Sequence, residues 1–484
     1  MRASAFALAL AVGAIAVAAA HAEPPKAHVD TGVVVGVESG PAAVFRAIPF
    51  AAPPVGPLRW KPPAPAAPWT GERAAVANGP ACPQKVLPGG APNAGGYNGP
   101  TSEDCLTLDV TGPLHARHAP VMVWIFGGGN IAGATDLPSY DAAAFARDGV
   151  VWVAMNYRLG ALGFFAHPAL TAEAPGNQPL ADYGLMDQIA ALKWVKRNIA
   201  AFGGDPGNVT IFGESAGGAD VLTLMTLRSA RGLFGKAIVQ SGGWWEGRES
   251  LAGGEADGVA LASRLGLAGT RATAARLRAV PVEALTAASA GAAFPTVDGR
   301  LMTEGVHAAF AAGHVASAPL IIGSNSNEAS LLGHGDRPAL HRALFNDQMM
   351  AAPARWVARR QARRAGAWLY YFSYVPERQR GIRPGTNHAS EIPFVFDSLD
   401  AVPGRTPLIT ASERAEATLA HSCWVGFART GVPVCAGGQA WPRYRPESDQ
   451  LLEFGDPPAV RVHFRERQLD SQDKAAGRLR AADR

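Results

Sequence analysis

Short apolar runs rich in β-branched and aromatic residues, recurring between helix-patterned stretches, constrain this chain more tightly than any other feature. Val121-Met122-Val123-Trp124-Ile125 and Val150-Val151-Trp152-Val153-Ala154 are bounded by Gly, Pro or Asn. So are Asn208-Val209-Thr210-Ile211-Phe212 and Pro319-Leu320-Ile321-Ile322-Gly323. Runs of this length without polar alternation read as strands buried on both faces. Between them, Ile189, Leu192, Trp194 and Val195 recur at near-helical spacing within Asp187 to Ile199, and Ser412 to Phe427 repeats the pattern. Strands alternating with helices imply an α/β fold on a mostly parallel, twisted sheet flanked by helices. A chain of 484 residues could hold about three domains on length alone. The strand-and-helix series is continuous, however, so a single domain over 23–484 is expected. Its 48% hydrophobic and 17% charged residues suffice for a large core and argue against disorder. The Pro/Ala-rich stretch from Ile48 to Trp69 and the Gly/Pro/Asn-rich stretch from Gly89 to Pro100 read as loops. Arg355, Arg359, Arg360, Arg363 and Arg364 share one helical side and read as a solvated face.

The amino terminus carries an export pattern. Arg2 precedes an apolar run from Phe6 to Ala20, and Ala20-His21-Ala22 is a small-x-small cleavage signal. Residues 1–22 are therefore expected to be a signal peptide, leaving a periplasmic or extracellular protein. The run is shorter than the roughly 20 residues of a membrane span, and no later segment is longer. A net charge of +4 is small for this length and gives no push toward nucleic acid. Export permits disulfides. Among the four cysteines, pairing of sequence neighbours is the simplest arrangement: Cys82 with Cys105, and Cys423 with Cys435. Neither a Cys-x-x-Cys nor a Cys/His cluster with zinc spacing occurs, so no structural metal is expected.

Gly213-Glu214-Ser215-Ala216-Gly217 follows one of these strands and precedes a helix-compatible stretch. In that context Gly-x-Ser-x-Gly is a nucleophile elbow: a tight, strained turn that thrusts the serine hydroxyl beyond the sheet. Acyl transfer also needs donors for a developing oxyanion. Gly127-Gly128-Gly129, directly after Val121 to Ile125, can aim backbone N–H groups into a cavity with no side chain in the way. A nucleophilic serine then needs a base, and the base an orienting carboxylate, in the chain order serine, acid, histidine. Glu328 follows a strand, and His388 follows the strand-like Trp368 to Tyr374. Spacing alone does not select His388 from the twelve histidines; His307, His314 and His334 lie in polar or mixed stretches that suit surface residues.

Further blocks, in order, carry a resemblance. They are Phe45-Arg46-Ala47-Ile48-Pro49-Phe50 with Pro53-Pro54-Val55-Gly56, Ser102-Glu103-Asp104-Cys105-Leu106, Asn156-Tyr157-Arg158-Leu159-Gly160, Phe202-Gly203-Gly204-Asp205-Pro206, the elbow, and Gln240-Ser241-Gly242. Together they resemble the type-B carboxylesterase and cholinesterase family of α/β hydrolases, from about Gly32 to Pro446. The resemblance implies an α/β-hydrolase fold, no cofactor, and a small-molecule ester as substrate. It implies Ser215 as nucleophile, Glu328 as the acid within Gly323-Ser324-Asn325-Ser326-Asn327-Glu328, and His388 as base within Asn387-His388-Ala389-Ser390-Glu391-Ile392. Gly128, Gly129 and Ala216 match the oxyanion-hole donors, Cys82 and Cys105 the first disulfide, and Glu214 and Ser241 polar residues beneath the site. Relatives of this fold that only bind partners typically lose a triad member, whereas all three are present here.

Departures from the family pattern surround the oxyanion hole. Phe126 stands where bacterial members often have histidine, Asn130 where an aromatic is usual, and Ala329 where glycine commonly follows the acid. The short stretch between Glu328 and His388 implies a trimmed lid region. The Cys82-to-Cys105 loop has no tryptophan to hold a quaternary ammonium by cation–π attraction, which argues against choline esters. Trp244 and Trp245 are candidates to narrow the acyl pocket, or for ordinary core packing. A bulky natural-product ester or a polyester is the specialised alternative.

Overall fold

A computed structural model describes residues 23–243, 250–289, 291–333 and 338–478. The signal-peptide expectation for 1–22, Trp244, Trp245 and His334 lie outside the described residues. The strands in chain order are β1 (Lys26–Val29), β2 (Gly32–Val35), β3 (Val37–Ser39), β4 (Ala42–Pro49), β5 (Glu72–Ala74), β6 (Thr107–Pro113), β7 (Ala119–Ile125), β8 (Val151–Met155), β9 (Gly204–Glu214), β10 (Lys236–Gln240), β11 (Leu320–Asn325), β12 (Ala367–Phe372), β13 (Leu451–Phe454) and β14 (Ala459–Arg461).

Eleven of these strands form one sheet in the order β14-β13-β12-β11-β10-β9-β7-β8-β6-β4-β3, and β1-β2-β5 form a small second sheet. From β8 across to β13 every pairing is parallel, while β14 at one edge and β6, β4 and β3 at the other run antiparallel to their neighbours. Each apolar run read from the sequence is a strand, and β8, β10, β11 and β12 are buried at every residue. Two-sided burial is what their lack of alternation demanded. The helices Tyr183–Asn198 and Ala411–Thr430 bury Leu185, Leu192 and Trp194, and Leu419, Trp424 and Phe427. The large mixed sheet with its helical flanks is an α/β-hydrolase fold.

Two readings of local structure are corrected. The strand expected to end at Gly323 continues to Asn325, because Ser324 and Asn325 pair with Tyr371 and Phe372 and both are buried. Their polarity suggested a loop, but the Asn325 Nδ2 finds acceptors inside the protein, donating to the Asn387 carbonyl at 2.9 Å. The arginine series is not a uniformly solvated face either. Arg355 is 1% exposed and pairs with Asp449 and Asp470, each at 2.7 Å, whereas Arg363 and Arg364 are exposed. Polar residues twenty or more positions away in the chain, invisible to a local periodicity, supply those partners.

Both neighbouring-cysteine pairs are bonded, Cys82 to Cys105 and Cys423 to Cys435, which is consistent with an exported protein. Among the described residues, no helix is long and apolar enough to cross a membrane.

Candidate active site

Chain order along the sheet decides where a site can form. From β7 the chain moves to β8 on one side and then returns to β9 on the other, so connectivity reverses around β7. Open parallel sheets bind ligands beyond the carboxyl ends of strands at such a reversal. The Gly127–Gly129 loop leaves β7 there, Ser215 leaves β9, Glu328 lies just past β11, and His388 lies in the segment after β12.

Ser215 adopts φ +56° and ψ −125°, between strand β9 and the helix Ala216–Thr226. A non-glycine residue in that region is strained and persists only where its surroundings hold it. Here its N–H donates to the Gln240 carbonyl at 2.9 Å, extending the β9–β10 ladder one residue beyond the strand. The elbow's flanking glycines are required by proximity. A Cβ on Gly217 would stand 2.0 Å from the Ile125 carbonyl oxygen, and one on Gly213 would stand 2.6 Å from the Gly217 backbone. Helix and sheet thus meet backbone to backbone, with no room for a side chain between them.

The glycine loop lies against this turn. A Cβ on Gly127 would fall 2.9 Å from the Ser215 Cβ, and one on Gly128 only 2.1 Å from the Ala132 carbonyl oxygen. Gly128, Gly129 and Asn130 all take positive φ, at 93°, 66° and 57°. Asparagine is among the few side-chain-bearing residues that tolerate this conformation. Asn130 is buried, and Phe126 stacks on Tyr157 with ring centroids 4.6 Å apart.

His388 Nδ1 lies 2.5 Å from Glu328 Oε2, and its Nε2 lies 3.0 Å from Glu214 Oε1. The other oxygen of Glu328 accepts from the Ser241 hydroxyl and from the Asn325 N–H, both at 2.6 Å. The loops bearing acid and base are stitched together: Asn327 donates to Asn387 at 2.7 Å, and the His388 N–H donates to the Ser330 hydroxyl at 2.9 Å. Beneath them Glu391 accepts from Gln240 at 2.9 Å and from Asn325 at 2.5 Å. Three buried carboxylates, Glu214, Glu328 and Glu391, therefore surround one imidazole.

This crowding sets the charges. Burial opposes the imidazolium, but attraction by Glu214 and then Glu328 outweighs it, and His388 is pushed up to about 10. Burial pushes Glu214 up to about 8, with repulsion from Glu391 and Glu328 adding to it against the attraction of His388. Burial likewise raises Glu391.

A cavity of about 310 Å³ opens onto these groups. Gly128, Gly129, Ser215, Ala216, Ser241 and His388 line it, and Ile131, Phe294, Pro295, Leu331, Met350 and Ile392 give it an apolar lining. The structure thus brings together the residues singled out in the sequence. Of the other histidines, His307 stacks on Trp356 and His314 pairs with Glu304. Sequence reasoning passed over Glu391, Asn325 and Gln240, although Glu391 lies in the same six-residue block as His388. It also passed over Asp220, which is fully buried and lines the cavity. Only position within the elbow helix, one turn and a half past Ser215, could have drawn attention to it.

A family profile described as the carboxylesterase family matches residues 23–341 and 334–472. A fumonisin B1 esterase of Sphingopyxis macrogoltabida is 35% identical, over 94% of this chain and 91% of that protein. A para-nitrobenzyl esterase of Bacillus subtilis is 32% identical, over 87% of this chain and 93% of that protein. A solved PNB esterase structure aligns with a TM-score of 0.83 at 30% identity, covering 92% of this chain and 99% of that one.

Proposed function

The chain belongs to the carboxylesterase family and is a carboxylic-ester hydrolase, and we propose that Ser215 is its nucleophile, His388 its general base and Glu328 the carboxylate that orients the base. One observation carries the reading. A serine strained at the end of a central parallel strand shares a cavity with a histidine whose far nitrogen is held by a buried carboxylate. That is the geometry in which an imidazole can take a hydroxyl proton and keep the resulting charge.

His388 Nε2 removes the Ser215 proton as the oxygen attacks the ester carbonyl. The tetrahedral oxyanion accepts hydrogen bonds from the backbone N–H groups of Gly128, Gly129 and Ala216. Imidazolium then protonates the departing alkoxide, and a water activated by the same imidazole hydrolyses the acyl-enzyme. Glu328 holds the Nδ1 proton throughout, itself fixed by Ser241 and Asn325. Glu214, 3.0 Å from Nε2, stabilises the charged imidazole from the other side. The apolar wall of the cavity favours uncharged esters with hydrophobic acyl or alcohol parts. The relatives are named for esterase action on fumonisin B1 and on para-nitrobenzyl esters, which fits a site open to bulky as well as simple esters.

The Ser215→Ala variant should fold as the parent does and lose at least three orders of magnitude of kcat on p-nitrophenyl acetate. Labelling by an organophosphate should vanish with it. Turnover retained in that variant would sink the assignment.

A further inference from the structure

We propose that Asn130 and Asp220 form a brace that sets the spacing of the oxyanion hole, with Asn130 a positioning residue on the glycine loop and Asp220 its anchor on the helix that follows the nucleophile. The inference rests on the reading of Gly128, Gly129 and Ala216 as the oxyanion donors. Those donors come from two separate chain segments. The loop after β7 supplies Gly128 and Gly129, and the helix Ala216–Thr226 supplies Ala216. The register between β7 and β9 ends at Ile125 opposite Gly213, before either set of donors begins. Something beyond the sheet must hold the loop at a fixed distance from the helix.

The Asn130 side chain crosses that gap. Its Nδ2 donates to Asp220 Oδ1 at 3.2 Å and to the Ala293 carbonyl at 3.3 Å. Its Oδ1 lies 3.1 Å from the Tyr157 hydroxyl, which also donates to the Phe126 carbonyl at 2.7 Å, at the root of the glycine loop. The backbone of the same stretch is pinned as well. Ala293 N–H donates to the Gly129 carbonyl at 2.8 Å, and Gly160 N–H to the Asn130 carbonyl at 2.7 Å. Asp220 is held in turn by Gln188, whose Nε2 donates to Oδ2 at 2.6 Å. Asn130, Asp220 and Gln188 are all buried, which makes these bonds stronger than the same contacts would be in water. Burial also pushes Asp220 up to about 7, against the two amide donors, so a carboxyl is kept here at a cost in desolvation. The left-handed backbone at Asn130 favours asparagine over a bulkier residue, and the short amide then reaches Asp220.

The test uses Asn130→Gly, which keeps the backbone conformation, together with Asp220→Ala and the double variant. In each single variant kcat on p-nitrophenyl acetate should fall roughly tenfold while KM stays within about twofold. Affinity for a trifluoromethyl ketone, which mimics the tetrahedral intermediate, should fall in step with kcat. The double variant should lose no more than either single one, because a brace broken once is not broken again. Asp220→Asn should recover kcat to within about twofold of the parent. It keeps an acceptor for Asn130, and Gln188 can turn its unpartnered Oε1 toward the new amide. Wild-type kcat in Asn130→Gly, losses that multiply in the double variant, or an Asp220→Asn enzyme as impaired as Asp220→Ala would each overturn the proposal. Such outcomes alongside an inactive Ser215→Ala would remove the brace alone. Activity surviving in Ser215→Ala would remove the catalytic reading beneath it.

Discussion

His388 meets a carboxylate at each ring nitrogen, and both charges favour its protonated form over the neutral imidazole. A histidine acts as a base only after losing its proton, and the charge of Glu214, like that of Glu328, holds that proton on. Replacing Glu214 by Gln removes a charge that raises His388, so the histidine should titrate at lower pH. The acidic limb of the kcat/KM profile on a neutral ester should therefore move down by roughly one pH unit. A limb that stays in place would show that Glu214 does not govern the base. At this scale the glycine-flanked elbow pointed to Ser215, whereas Glu328 and His388 were singled out only through the family resemblance; the structure sets Glu328 against His388 and puts Ser215 and His388 on one cavity. Glu391 and Asn325 escaped because nothing local marks a carboxylate or amide as buried; only the fold brings Gln240, Asn325 and Glu391 into one hydrogen-bonded cluster.

Among the elements, the contact between β7 and the helix Ala216–Thr226 governs the site. Gly217 lets the helix start against the Ile125 carbonyl, leaving no space for a methyl group. Gly217→Ala should push the helix outward and destabilise the protein by about 2 kcal/mol, the usual scale of overpacking. It should also lower kcat, since Ser215 and Ala216 ride on the displaced turn; urea unfolding and p-nitrophenyl acetate turnover read the two effects. Parental values in both would show that the helix start can absorb the methyl. Central strands were readable because burial on both faces leaves an uninterrupted apolar run. Strand ends were not, since β11 continues through Ser324 and Asn325, polar residues whose partners lie on β12 and beyond.

Across the whole molecule, the helix Glu466–Ala475 is tied to the sheet-flanking helix Ala352–Ala362 by a buried guanidinium. Arg355 binds Asp449 and Asp470 and lies 3.9 Å from Asp473, while Trp356 donates to the Arg478 carbonyl. Arg355→Leu would leave Asp449 and Asp473 buried without that partner. Removing one side of a buried ion pair typically costs about 3 kcal/mol or more. The variant should unfold at correspondingly lower urea concentration, with activity per folded molecule near the parent's; an unshifted midpoint would refute the tie. Helical periodicity in the sequence grouped Arg355 with Arg363 and Arg364 and could not separate them, because the acids that bury it come from a distant segment.

The two disulfides close spans of 23 and 12 positions, each joining a cysteine to the next one along the chain. For a polypeptide delivered amino terminus first, this is the order in which thiols become available. Cys82 meets Cys105 long before Cys423 is present, and no fifth cysteine competes with either pair. When thiols oxidise as they emerge, the native pairing is also the first pairing, which leaves nothing for a bond-reshuffling catalyst to correct.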